Sequence, residues 1–192
     1  MARLVEIRWH GRGGQGVKTA ALLLAEAVAA AGKFIQGFPE YGPERMGAPV
    51  LAFNRISDEP ITIHSHVKEP GVVVVMDPTL IGSVDVTEGL PEDGVIVINT
   101  SESPQKIRGK LGLCGRKVYT VDASQIALGT LGQAIPNTPM MGALIRATGL
   151  IGFDRFMDLV QGLLAEKFKS KPEVIKGNLQ AIERAYQEVT GE

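Results

Sequence analysis

Four glycines in six positions, Gly11-Arg12-Gly13-Gly14-Gln15-Gly16, are the residues whose types and spacing first suggest chemistry. Gly11, Gly13 and Gly16 satisfy the G-x-G-x-x-G pattern. Leu4, Val5, Ile7 and Trp9 before it predict a short strand. The alanine-rich stretch from Val17 through Leu22, Leu23, Leu24 and Val28 to Ala31 predicts a helix capped by Gly32. Glycines let the main chain adopt left-handed angles and let a ligand approach it. The amides of the helix start then point at an anion, aided by the helix dipole. Arg12 adds a five-donor fork suited to phosphate or carboxylate, and Gln15 both donates and accepts. Such turns also serve simply to pack a helix on a strand, with Arg12 and Gln15 as solvated loop residues, so both readings stand here.

Two familiar nucleotide sites fit poorly. A nicotinamide site expects an acidic residue about 20 positions on, at the end of the second strand. Phe34-Ile35-Gln36-Gly37 offers none. The phosphate loop of NTPases has its glycine spacing, but Val17 intervenes before Lys18-Thr19 and turns the lysine by about 100° around the helix.

Other chemistry-bearing residues carry weaker signals. His64 and His66 stand two apart on a predicted strand with no third metal ligand nearby, which reads as an exposed strand edge. Lys106, Arg108, Lys110, Arg116 and Lys117 form a basic run read as a solvated face. Cys114, in a Gly-Leu-Cys-Gly turn, has basic neighbours but no attacking base in view and reads as structural.

The elements that must position the glycine turn follow from periodicity. Phe34-Ile35-Gln36 predicts a short second strand and residues 37–49 an irregular, functional-looking loop. Pro49 to Ile56 and Ile61 to His64 predict an antiparallel hairpin turned by Ser57-Asp58-Glu59-Pro60. Val72 to Met76, Val95 to Ile98 and Val118 to Val121 are apolar on both faces, as central parallel strands are. Each ends in a polar residue, Asp77, Asn99 or Asp122, which parallel strands would gather at the same carboxyl-end crest as the glycine turn. The last third reads as helical. Thr138 caps a helix ending near Gly149, Asp154 opens another, and Ser170-Lys171-Pro172-Glu173 makes a capping box for a third. The last helix carries an apolar stripe of Ile175, Leu179, Ile182, Tyr186 and Val189, read as docking on its own sheet. Together these predict a single α/β domain over residues 1–192. Its expected form is a three-layer α/β/α sandwich with a mostly parallel mixed sheet, a Rossmann-like first unit and a helical C-terminal region.

Composition narrows the function classes. The 192 residues are 44% apolar, and 20 basic against 21 acidic residues leave a formal charge of −1, with no global field for nucleic acid or an anionic membrane. The single cysteine excludes an intrachain disulfide framework and an iron–sulfur cluster held by this chain alone. The charged start and the lack of 18 consecutive apolar residues predict a soluble, cytoplasmic protein.

A second motif makes the reading specific. The glycine turn, followed by Phe38-Pro39-Glu40-Tyr41-Gly42-Pro43-Glu44-Arg45-Met46-Gly47-Ala48-Pro49-Val50, closely resembles the gamma subunit of 2-oxoacid:ferredoxin oxidoreductases, the pyruvate enzyme above all. The resemblance covers essentially the whole chain, including Asp77-Pro78 and Asn137 with Met141-Gly142-Ala143. It implies an enzyme that decarboxylates a 2-oxoacid on thiamine diphosphate and passes electrons through iron–sulfur clusters to ferredoxin. The acyl group goes to coenzyme A. It further implies a gamma subunit that is an α/β domain, helps receive coenzyme A and leaves thiamine diphosphate, magnesium and the clusters to partner subunits. Residues 11–16 are then expected to meet the coenzyme A phosphates.

Glu44, Arg45 and Gly47 are expected at a subunit interface or ligand clamp, against the alternative of a self-contained surface ion pair. Two other functions stay open from the residues alone: a stand-alone enzyme binding NAD or an NTP, and a purely structural scaffold subunit.

Overall fold

The computed structural model describes residues 4–40 and 47–192. Strands form at Val5–Arg12 (β1), Phe34–Glu40 (β2), Pro49–Ser57 (β3), Val72–Val75 (β4), Val95–Asn99 (β5), Lys117–Val121 (β6) and Thr190–Gly191 (β7). Helices span Val17–Ala30 (α1), Pro104–Leu111 (α2), Ala123–Leu131 (α3), Asn137–Thr148 (α4), Phe153–Lys167 (α5) and Pro172–Glu188 (α6). All strands join one sheet in the order β2-β3-β1-β4-β5-β6-β7. β1, β4, β5 and β6 pair in parallel, while β3 and β7 run against their neighbours.

Side chains alternate across a strand, so each strand feeds two layers. One face carries Ile7, Trp9, Val74, Met76 and Val97 against α1, α3, α4, α5 and α6, and holds most of the buried apolar residues. Trp9 Nε1 donates to Asn54 Oδ1 (2.8 Å) and Asn54 Nδ2 to the Ala21 carbonyl (2.9 Å), which pins α1 to β1 and β3 with the buried polar atoms satisfied. α4 and α6 pack closely at Gly142, where any Cβ would run into the Ile182 carbonyl. The apolar stripe of α6 docks within the chain, but on the helices α3, α4 and α5 rather than directly on the sheet as expected: Ile182 is buried and Tyr186 stacks on Phe153 of α5 at 3.8 Å.

The other face is covered more thinly. Ile107 of α2, with Leu80, Val86, Leu90 and Leu113, covers Val73, Val75, Ile96, Ile98 and Val118.

Several local expectations are corrected. Thr138 does not cap α4: Pro136 is the N-cap, and the Thr138 hydroxyl, within the first turn, donates to Asn178 Oδ1 (2.9 Å). β3 pairs with β2 and β1, not with 61–64, which form no strand. The Ile63 and Ser65 carbonyls instead accept from the buried Arg55, so this backbone serves a side chain rather than a ladder. His64 and His66 are therefore exposed on a non-strand segment. The Ser170 capping box does not form, because Lys171 occupies the N-cap and Ser170 falls one position too early. The second strand is also longer than Phe34-Ile35-Gln36, reaching Glu40.

Candidate functional site

β1 runs to Arg12 and α1 begins at Val17, so the glycine turn fills the gap between strand and helix at the carboxyl ends of the parallel strands. Gly16 is the N-cap of α1 with φ 76°. A Cβ there would lie 2.7 Å from Asn137 Nδ2, so the starts of α1 and α4 abut at the crest. The first amides of α1 have no acceptor within their own helix. Gly14 is exposed, with nothing within 4 Å of where a Cβ would stand.

Arg12 and Gln15 are held by neighbours rather than left in solvent. The Arg12 amide donates to Gln15 Oε1 (2.8 Å), and Gln15 Nε2 donates to Asp77 Oδ2 (2.6 Å). The Arg12 guanidinium reaches Thr79 Oγ1 through Nε (3.1 Å) and Nη2 (3.0 Å). Its Nη1 donates to the Gly47 carbonyl (3.0 Å), and Nε lies 3.3 Å from Asp77 Oδ2. Asp77 also accepts from the Thr79 amide (2.9 Å) and hydroxyl (2.6 Å), capping the short 3-10 turn Pro78–Leu80. Burial pushes the Asp77 carboxyl up, but the bonds from Thr79 and Gln15 and the Arg12 charge outweigh it and hold the group below its ordinary value.

The turn is also tied to the second motif. Gly13 donates to the Ala48 carbonyl (3.0 Å), and the Gly47 amide donates back to the Gly13 carbonyl (3.3 Å). Two segments more than 30 residues apart thus close on one another, with Gly47 beside Arg12. Glu44 and Arg45 lie outside the described residues.

Asp77 and Asn99 do gather near the crest. Asn99 Nδ2 donates to the Met76 carbonyl and Ser124 Oγ, both at 2.8 Å, fixing the end of β4 to the start of α3. Asp122 instead caps α3 through the Gln125 amide (3.0 Å). Residue types alone did not single out Thr79, although Asp-Pro-Thr is a readable turn signal in which an aspartate accepts from the amide two residues on.

Four of the five residues of the basic run have partners within the chain. Lys106 and Lys110 pair with Glu102, Arg108 with Glu192, and Arg116 donates to the Leu90 carbonyl. Cys114 is an exposed free thiol. A cavity of about 480 Å³ opens at the opposite, amino end of the strands, lined in part by Glu6, Lys33, Asp58, Asp93 and Lys117. Among the described residues no helix is long and apolar enough to cross a membrane.

Residues 6–188 match the family described as pyruvate ferredoxin/flavodoxin oxidoreductase. The chain belongs to this family. It is 50% identical over 184 residues to pyruvate synthase subunit PorC of Thermotoga maritima, covering 96% of this chain and 94% of that one. It is 49% identical over 168 residues to the Pyrococcus abyssi common gamma subunit of pyruvate and ketoisovalerate oxidoreductases, covering 85% of this chain and 91% of that one.

A crystal structure of the Thermotoga maritima pyruvate oxidoreductase subunit PORC superposes with a TM-score of 0.86 at 46% identity, covering 99% of both chains. A 2-oxoglutarate:ferredoxin oxidoreductase of Magnetococcus marinus, solved with 2-oxoglutarate, coenzyme A and succinyl-CoA bound, shares the fold at 21% identity and a TM-score of 0.76. The match covers 96% of this chain and 31% of that one. As a pyruvate ferredoxin/flavodoxin oxidoreductase family member, the chain is a gamma-type subunit of a multi-subunit oxidoreductase of the pyruvate synthase class.

Proposed function

We propose that this chain is the non-catalytic gamma subunit of a cytoplasmic, thiamine-diphosphate-dependent pyruvate:ferredoxin oxidoreductase. In this reading residues 1–192 act as one domain that receives coenzyme A at the crest and docks the companion subunits. Ferredoxin is reached only through those companions. The observation that carries the pyruvate assignment is the 50% identity to a pyruvate synthase subunit over nearly the full length of both chains.

The crest's donor set fits coenzyme A. Its phosphates are polyanions, and the turn offers a helix N-terminus, an exposed Gly14 and a fixed guanidinium beside them. Gly11, Gly13 and Gly16 shape that main chain, Gly14 leaves it open, and Arg12 and Gln15 hold it in place. Coenzyme A, when bound, supplies the thiol that takes the acyl group. Thiamine diphosphate, magnesium and iron–sulfur clusters belong to partner subunits, since a single cysteine cannot ligate a cluster and no G-D-G run offers a magnesium–thiamine site. Gly47, hydrogen-bonded to the turn, supports a clamp role for the second motif, which we extend to Glu44 and Arg45.

One observation favours a purely structural scaffold instead: Arg12 and Gln15 are both engaged within the chain. The relatives are named as subunits, which weighs against a stand-alone NAD or NTP enzyme.

Two variants of the assembled enzyme test the coenzyme A reading. Gly14→Asp sets a carboxylate at the open point of the turn, and Asp is among the side chains that best tolerate positive φ. The expected result is a KM for coenzyme A raised about tenfold or more, with pyruvate-dependent decarboxylation little changed. Arg12→Ala is expected to weaken coenzyme A use more than decarboxylation. An unchanged coenzyme A response in both variants would leave the scaffold reading.

A further inference from the structure

We propose that Asp77 is a positioning residue for the coenzyme A site, acting through Gln15 to set the polarity of the glycine turn; this rests on the reading that the turn receives coenzyme A. The basis is a directional relay. An amide side chain has one accepting and one donating end, and which end points where is decided by its partners. Asp77 lies at the end of β4, is buried, and as a carboxylate only accepts. It therefore draws the Nε2 end of Gln15 (2.6 Å), and Oε1 is left to accept from the Arg12 amide (2.8 Å).

That amide opens the turn. Held by Gln15, it keeps Arg12 in the strand conformation, from which the next amide, Gly13, reaches the Ala48 carbonyl and the guanidinium reaches the Gly47 carbonyl. One carboxylate thus fixes the start of the turn and its seam with the second motif. The two Thr79 bonds occupy the other oxygen, Oδ1, and stop the carboxylate from rotating away.

Reversing the relay tests it. Asp77→Asn presents a donor to Gln15, which favours a flipped amide and leaves the Arg12 N–H without its acceptor. Adding Gln15→Glu restores both bonds, that between positions 77 and 15 with donor and acceptor exchanged, because Glu accepts from Asn and from the Arg12 amide alike. In the assembled oxidoreductase, Asp77→Asn is expected to raise the KM for coenzyme A about tenfold while kcat and the KM for pyruvate stay within about twofold. The Asp77→Asn/Gln15→Glu double variant is expected to recover most of that loss. A general loss of folded structure would instead move kcat and the KM for pyruvate together with that for coenzyme A.

A double variant no better than Asp77→Asn alone overturns the proposal. So does an unchanged coenzyme A KM in Asp77→Asn when Gly14→Asp has raised it. An unchanged KM in both Asp77→Asn and Gly14→Asp removes the coenzyme A reading itself and the proposal with it, so the two failures are distinguishable. Should Asp77→Asn fail to assemble, Gln15→Met breaks the relay while leaving Asp77 its Thr79 partners, and the same KM comparison decides.

Discussion

Arg8, Arg12 and Arg55 share one face of the sheet, but they sit in two different regions. Arg8 and Arg12 alternate along β1, and Arg55 stands opposite Glu6 on β3. Toward the amino end of β1, Arg55 is 1% exposed. It binds Glu6 (2.6 Å) and the Ser65 carbonyl (2.6 Å) and lies over the Phe38 ring at 5.6 Å. Arg8 is also buried, with Nη2 on the Glu88 carbonyl (2.6 Å) and Nε on His10 Nε2 (2.9 Å). At the rim, Arg12 keeps 30% of its side chain in solvent, and its partners are an exposed threonine, a loop carbonyl and the edge of a carboxylate. The same residue type on the same surface thus performs two jobs. Inside, the guanidinium replaces a missing helix layer by tying coil segments to the sheet; at the crest it orders a turn that stays open to a ligand.

The contrast breaks most sharply at Arg55. Replacing it by Met leaves Glu6 beside an apolar side chain and two carbonyls short of a donor. The expected loss is about 3 kcal/mol of unfolding free energy, because Arg55 is buried and Glu6, 21% exposed, loses its charged donor. Denaturant titration of the purified chain measures this, and the coenzyme A response of the assembled enzyme is expected to be unchanged. A loss below about 1 kcal/mol would put Arg55 in the class of surface pairs and erase the distinction.

His10 sharpens the same comparison through pH. Burial first, then the neighbouring Arg8 charge, pushes its imidazole down to about 4, with Asp85 opposing weakly. The folded chain therefore refuses a proton that the unfolded chain accepts near the ordinary histidine value. Stability is full above about 6.5 and falls as the pH drops toward 4, by about 2–3 kcal/mol. Unfolding free energy measured at intervals across that window is expected to show the slope. His10→Gln, which can still accept from Arg8, is expected to flatten it. A slope of equal size in the variant would assign the effect to other groups.

The fold was legible where one element's own residues decide it. The valine runs of β4 and β5, the glycine turn between β1 and α1, and Asp77 at the crest all follow from local type and spacing. What stayed hidden depends on distant partners. Nothing between Pro49 and His64 says that β3 takes β2 as its neighbour, because Gln36, Arg55 and Glu6 line up only once three strands are side by side. The site shows the same division. Arg12 and Gln15 were readable as donors, but not their direction, since Asp77 lies 62 positions from Gln15 and the Gly47 carbonyl 35 positions from Arg12. The buried charges were invisible for a related reason: an arginine in a strand reads as an exposed position until coil carbonyls cover it.

Arg12 itself gives the smallest effect on stability, and that smallness is informative. Arg12→Ala removes bonds to Thr79 and Gly47 and the 3.3 Å ion pair with Asp77, yet Thr79 remains in water and Asp77 keeps its Thr79 and Gln15 donors. The buried Asp77 carboxylate loses its cation but keeps three hydrogen-bond donors, so the expected cost is only about 1 kcal/mol. The measurement is the denaturation midpoint of Arg12→Ala beside that of Arg55→Met, in one buffer and at one pH above the histidine window. A small shift combined with a weakened coenzyme A response places Arg12 with the ligand-facing crest. A shift as large as that of Arg55→Met would instead make Arg12 a strut of the fold, and the open turn beside it a packing device.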